Sequence, residues 1–536
     1  MKKVFAVLLL LAVMCVPSFG AVPDKDIVIL FTNDVHCGVD ENIGYAGLAW
    51  YKHETEKLTP YVALVDAGDW AQGAVIGSIA QGRYIQEIMN AMNYDFAVPG
   101  NHEFDYGWGQ FESFVRNMKC GLYSCNLRDL RTGKTLLPPY KIFTYGDVKV
   151  AFVGVCTPET IVKSTPSAFM DEDGKYAYDF DGETTGEKLI ATIQKAADDA
   201  RAEGADYVIV VGHLGEYEDV TEVWSTPYIV PRTRNIDAFI DGHSHEVTPS
   251  LKFKNLDGKE TPIVQTGTKL HNIGRVVIDT KGEVTTGLVA SVEGRDERIT
   301  ALIEDIKARF AGTLSQHLSY TSFDLRAMDD EGTWLVRDGE TNLCDLATDA
   351  MLYSVRYSKL GTADVGMYNG GGLRTNINAG EITFQDALSV MPFNNTVCIV
   401  EVTGQTLLDE LEHGARLMPN RSGGFLHVSG MTYTIDTRIP TPVKVDDKNI
   451  LIGIEGERRI KDAKINGEPV DPEKKYKIVS ISYILMGLGD GHVFAGARLV
   501  EPDYDAASDV FARYIKSFER LPERYRQPEG RITIIQ

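Results

Sequence analysis

Short runs of β-branched and aliphatic residues alternate with amphipathic stretches from Asp26 to about residue 290. That alternation predicts strands that cross over through helices. Strands are expected at 27–31, 61–65, 96–98, 148–155, 207–211, 238–240 and 262–264. Helices are expected at 84–92 and 186–203, the second because Leu189, Ile190, Ile193, Ala196 and Ala197 share one face. From 296 to 310 the chain is strongly charged, with Ile299, Leu302, Ile303, Ile306 and Phe310 at helical spacing, which predicts a surface helix between two domains. Beyond it come expected helices at 342–357 and 405–416, a Gly-rich turn at 369–372, and strands at 396–402, 428–435 and 476–481. The first half therefore reads as α/β, the second as α+β.

Length supports more than one core. A chain of 536 residues, 43% hydrophobic and 24% charged, has the composition of a soluble globular protein of two or three domains. A formal net charge of -22 argues against general binding to a nucleic-acid polymer, whose backbone is neutralised by Lys and Arg. Small anionic substrates stay open, since a bound metal reverses the local field. Met1, Lys2 and Lys3 precede an apolar run from Val4 to Val16 and then Pro17-Ser18-Phe19-Gly20, the layout of a signal peptide cut after Gly20. The run is too short to span a bilayer, so no stable membrane span is expected. The mature protein is placed outside the cytoplasmic membrane, periplasmic or extracellular. Cys120 and Cys125 lie close enough for a local disulfide, with buried free thiols as the alternative.

The candidate chemistry sits where the expected strands end. The first strand runs into Asn33-Asp34-Val35-His36, the second into Asp66-Ala67-Gly68-Asp69, and the third into Gly100-Asn101-His102-Glu103-Phe104-Asp105. The fifth is followed by Gly212-His213 and the sixth by Asp241-Gly242-His243-Ser244-His245, so five of the eleven histidines fall just past strands. One Asp-x-His is a weak signal. Five such coincidences are not, because ligands in α/β sheets collect outside the carboxyl ends of the strands. Donors of N and O type without thiolate suit Zn²⁺, Mn²⁺ or a similar ion, and they suffice for two ions if one carboxylate bridges.

In this order the motifs resemble the calcineurin-like metallophosphoesterases. Phe104-Asp105 and Asn369-Gly370-Gly371-Gly372-Leu373-Arg374 further resemble the 5'-nucleotidase family, across nearly the whole mature chain. The resemblance implies a layered β-sandwich catalytic domain flanked by helices at 21–294 after a 1–20 leader. It implies a linker helix at 295–313 and a smaller α+β substrate-binding domain at 314–536. Asp34, His36 and His245 would hold one divalent ion, Asn101, His213 and His243 a second, and Asp69 would bridge them. His102 would be the catalytic imidazole, oriented by Asp105. In the second domain Phe425 and Tyr483 would clamp a base, Asp490 would meet the ribose, and Arg374 and Arg416 would steer the substrate. Leu488 departs from the glycine pair usual in that last motif.

The expected activity is hydrolysis of nucleoside 5'-monophosphates, extending to UDP-sugars or dinucleotides. The enzymatic alternatives are a 2',3'-cyclic-nucleotide phosphodiesterase and a thiosulfohydrolase-like esterase on the same scaffold. A non-catalytic nucleotide-binding surface protein is the alternative from another class.

Overall fold

A computed structural model describes residues 21–536 except 165, 172–174, 217–219, 394 and 447; the expected leader lies outside the described residues. Two sheets build the N-terminal half. One orders its strands Val284–Val289, Ile273–Ile278, Ile27–Thr32, Val62–Asp66 and Phe96–Ala97. The other orders them Val247–Lys254, Glu260–Thr266, Ala238–Ile240, Tyr207–His213, Val148–Cys156 and Tyr140–Tyr145. In the second sheet the centre is parallel, as the crossover pattern requires, and both edges are antiparallel; in the first, Ile27–Thr32, Val62–Asp66 and Phe96–Ala97 run parallel and the other pairings are antiparallel.

Strand alternation assigns each side chain to a layer. Ile27, Ile29 and Phe31 meet Val150, Phe152, Ile209 and Val211 between the sheets. Val28 and Leu30 point the other way, onto Ile85, Ile88 and Met89 of the helix Arg83–Met92. Ala151, Val153 and Val155 face Leu189, Ile193 and Ala197 of the helix Glu187–Ala202. The result is a sandwich covered by helices on both outer faces. Strands buried on both sides read as continuous apolar runs, which is why the central ones were legible.

The charged segment forms the helix Glu297–Ala308, capped by Asp296, whose carboxylate accepts from Ile299 N at 2.9 Å. Ile299, Ile303 and Ile306 bury into the N-terminal core, so this helix is fastened to the first half. In the second half one apolar cluster joins the helix Asn342–Ser354 to a five-stranded sheet ordered Leu426–Ser429, Val365–Asn369, Lys475–Ile481, Thr396–Thr403 and Arg498–Ala506. The expected strand at 428–435 is broken at Gly430, whose φ of 76° turns the chain, and its pieces join different sheets. Cys120 and Cys125 are separate buried thiols, so the local bridge is not formed.

The halves meet along a cleft. The Tyr483 hydroxyl donates to Val162 O at 3.2 Å, and Ser78 Oγ donates to Pro392 O. A hairpin of the second half, Val443–Val445 with Leu451–Ile454, sends Lys448 to Asp179 at 3.1 Å. Ile450, beside that lysine, is buried in the first half's core, with Leu488 and Val493 packed against it.

Candidate metal centre and substrate cleft

Each N-terminal site residue leaves a strand at the same end of the sandwich. Asp34, His36, Asp69, His243 and His245 all take positive φ, between 44° and 80°. Side chains other than glycine rarely adopt this region, at an energy of order 1–3 kcal/mol each, and it clusters at functional sites. Two glycines make room: a Cβ on Gly100 would fall 2.2 Å from Asp69 Oδ1, and one on Gly242 would fall 2.8 Å from Asp34 Oδ2. The loops can therefore approach as closely as their ligands require.

The side chains converge in three overlapping clusters: Asp34, His36 and His245; His36, Asp69 and His102; Asp69, His213 and His243. Asp34 Oδ1 lies 3.3 Å from His245 Nε2, and Asp69 Oδ2 lies 3.1 Å from His213 Nε2. His36 Nε2 stands 3.8 Å from both carboxylates, so Asp69 touches both ends of the group.

Second nitrogens fix the tautomers. His36 Nδ1 donates to Gln72 O at 2.9 Å and His213 Nδ1 donates to Ala67 O at 2.8 Å, which leaves each Nε2 with a lone pair. His243 Nε2 meets Glu159 Oε2 at 2.8 Å, leaving its Nδ1. Asn101 Oδ1 and His213 Nε2 are buried without a hydrogen-bond partner among the described residues. Buried donors and acceptors are seldom left so, and convergent lone pairs opposite carboxylates suit divalent cations.

His102, in the second of these clusters, is also tied to a carboxylate outside them. Its Nδ1 lies 2.5 Å from Asp105 Oδ2, and Asp105 Oδ1 accepts from Ser164 Oγ at 3.0 Å. Burial opposes its charged form, but the Asp105 and Asp69 carboxylates outweigh burial and raise its pKa.

Across the cleft, Arg374 of the second half lies 5.7 Å from the Phe393 ring, which is 6.1 Å from the His102 ring. Burial, then the neighbouring Arg337, push the Arg374 pKa down to about 10, which leaves it cationic at neutral pH. Both guanidiniums lie over Trp334, at 5.4 Å and 4.7 Å. Farther along, Asp490 Oδ2 accepts from Asn369 Nδ2 at 2.9 Å, and Arg416 feels the Asp490 charge while its Nη1 donates to His413 O. Tyr483 lies flat against Gly489, where a Cβ would be 2.4 Å from the ring. Phe425 is only 1% exposed and packs edge-on to His427, so its face is covered.

Several groups escaped the sequence reading. Glu103, quoted only as part of a motif, is fully buried and accepts from Asp69 N, Trp70 N, Ala71 N and Gly100 N. It pins two site loops together. Glu159, Arg337 and Phe393 had no local signal, since each is remote in sequence from every motif. Leu488 adopts φ 59°, which a glycine would take without strain, and its side chain reaches the first half's core.

A sandwich whose strand ends carry clustered Asp, His and Asn is the architecture of a metal-dependent phosphoesterase. The chain matches the calcineurin-like phosphoesterase family over residues 27–247 and the 5'-nucleotidase C-terminal domain over 326–496. It belongs to the 5'-nucleotidase family and is a hydrolase of phosphoric esters. It is 27% identical to a snake venom 5'-nucleotidase of Gloydius brevicauda, over 97% of this chain and 90% of that one. Identity to the Bos taurus 5'-nucleotidase is also 27%, over 95% and 90%. Among solved structures, a 5'-nucleotidase precursor from Thermus thermophilus shares the fold at TM-score 0.75 and 24% identity, covering 95% of this chain and 99% of its own. A sulfate thiohydrolase from the same species, SoxB, shares it at 0.63 and 18%, covering 96% and 97%. Divalent metal use follows from the family, and the three clusters are where this chain offers ligands. No helix among the described residues is long and apolar enough to cross a membrane.

Proposed function

We propose that this protein hydrolyses nucleoside 5'-monophosphates to nucleoside and phosphate with two divalent ions, Zn²⁺, Mn²⁺ or similar. Residues 21–294 are taken as the catalytic domain and 314–536 as the substrate domain, with 295–313 between. The observation that carries the reading is the placement of Arg374 across the cleft from His102, close enough for its charge to act on that imidazole. A phosphate between them would touch the cation of one half and the metal ligands of the other.

Asp34, His36 and His245 would hold one ion and Asn101, His213 and His243 the other, with Asp69 shared. Bound there, such ions acidify a water and neutralise phosphoryl charge. His102, held cationic by Asp105, donates to phosphoryl oxygens as their charge develops. Arg374 and Arg337 fix the phosphate by charge-assisted hydrogen bonds. Asp490 and Arg416 set the nucleoside, and Tyr483 and Phe425 supply the aromatic walls of its base. Because Phe425 is covered, base binding requires its ring to turn outward from a loop backbone that stays in place.

The test is a panel of AMP, UDP-glucose and 2',3'-cyclic AMP with purified protein, before and after chelation and with His102→Ala. AMP is the expected preferred substrate. Chelation abolishes turnover and added metal restores it, while His102→Ala lowers kcat by about 10²–10⁴-fold. Full turnover by that variant, or no hydrolysis of any phosphate ester with metal supplied, overturns the reading. We also read residues 1–20 as an export leader; a mature N-terminus other than Ala21 on the exported protein would correct it.

A further inference from the structure

We propose that Glu410 and His492 are positioning residues that lock together the two walls of the nucleoside site, and so set affinity for the nucleoside part of the substrate. This rests on the proposed nucleotide hydrolysis.

The loop carrying Asp490 is held in an unfavourable shape. Leu488, Asp490 and Phe494 take positive φ of 59°, 53° and 45°, with Gly491 at 81°. Three side-chain-bearing residues in that region within seven positions persist only where surrounding groups over-determine them. The ties come from beneath the loop, from the helix Gly404–Gly414. Glu410 Oε1 accepts from Val493 N at 3.2 Å and Phe494 N at 2.5 Å, and its Oε2 meets His492 Nδ1 at 2.9 Å. His413, on the same helix, has its Nε2 3.0 Å from Asp490 O, to which it donates.

The histidine also reaches the opposite wall. His492 Nε2 lies 2.9 Å from Gly424 O, in the loop just before Phe425. A carbonyl accepts only, and so does a carboxylate. The ring therefore bridges the two, with Nδ1 facing the Glu410 carboxylate and Nε2 facing the Gly424 carbonyl. Glu410 and His492 are 1% and 0% exposed, so neither is replaced by water. The walls are in contact as well: a Cβ on Gly424 would come 3.0 Å from Asp490 Cβ. One buried pair therefore couples the Phe425 loop, the Asp490 loop and the helix behind them. Among the described residues, the hydrogen-bond partners of both side chains all lie in the second half.

The test separates nucleoside binding from phosphoester chemistry by comparing AMP with glycerol 3-phosphate, which has no base or ribose. His492→Ala is expected to raise KM for AMP about tenfold, with kcat for AMP and kcat/KM for glycerol 3-phosphate within about threefold of the parent. Glu410→Gln donates its amide to Nδ1 of a neutral ring that still donates to Gly424 O, so it recovers most of the AMP affinity that Glu410→Ala loses. Thermal melting of each variant identifies the folded ones. Equal losses on both substrates, or an unchanged KM for AMP in a folded His492→Ala protein, overturn the inference. A parent enzyme that hydrolyses glycerol 3-phosphate but not AMP overturns the nucleotide reading on which it rests.

Discussion

Glu103→Gln keeps the volume of a fully buried side chain and changes only what it can accept. In the native protein Oε2 accepts from Asp69 N at 2.9 Å and Gly100 N at 2.6 Å, while Oε1 accepts from Trp70 N and Ala71 N, both at 2.9 Å. An amide oxygen serves one of these pairs, and the amide nitrogen then confronts the other two donors with no water to relieve them. Each buried orphan costs about 1–3 kcal/mol, so the substitution costs roughly 2–6 kcal/mol. Against a domain stability of about 5–15 kcal/mol this is a large share. It lowers the melting midpoint by about 5–20 °C for a domain of this size. Activity falls as well, because Asp69, shared by two ligand clusters, is anchored through its own N–H. A shift of about 1 Å there lowers turnover about 10²-fold. Calorimetric melting and p-nitrophenyl phosphate hydrolysis at saturating metal read the two effects. A variant that melts within about 2 °C of the parent and keeps its turnover refutes the argument.

Two further outcomes follow from the second half. Lys448→Ala removes a partly buried ion pair with Asp179, worth about 1 kcal/mol, and is expected to raise KM about fivefold with kcat unchanged. The pairing of Lys448→Glu with Asp179→Lys should recover part of that loss, and no recovery means the contact is incidental. Burial pushes the His427 imidazole down to about 4 while Nε2 donates to Val336 O at 2.8 Å and Nδ1 has no hydrogen-bond partner among the described residues. Unfolded histidine protonates near 6.5, so between about 6.5 and 4 the unfolded chain binds the extra proton and stability falls as acid is added, by about 3 kcal/mol at pH 4. Urea midpoints at pH 7 and pH 4.5 should therefore differ less in His427→Gln than in the parent, and equal differences refute it.

The parts of the fold that were legible in sequence are those where one physical pattern dominates. Ile27–Thr32 and Tyr207–His213 are buried on both faces, so nothing polar interrupts them. The edge strands Val247–Lys254 and Val284–Val289 escaped because their half-exposed residues include Thr, Ser, Lys and Gly. Metal-type side chains were legible because several fell together past strands. The carboxylate of Glu103 was not, since an acid beside a histidine looks the same whether it faces a ligand or backbone N–H groups. Glu159 belongs to no motif and meets His243 only after the chain has folded. The covering of Phe425 is likewise a property of packing, which no local spacing encodes.

Leu488 stands in the left-handed region where glycine would be unstrained, and it places an aliphatic group among the first half's core residues beside Ile450 and Val493. Lifting the second half away would wet that oily contact, and exposing apolar surface carries a positive heat-capacity change. Opening of the cleft would then have a temperature-dependent enthalpy, and plots of ln KM against reciprocal temperature would curve. A glycine at 488 would flatten that curve, so this one side chain ties the thermal response of substrate capture to the joint between the halves.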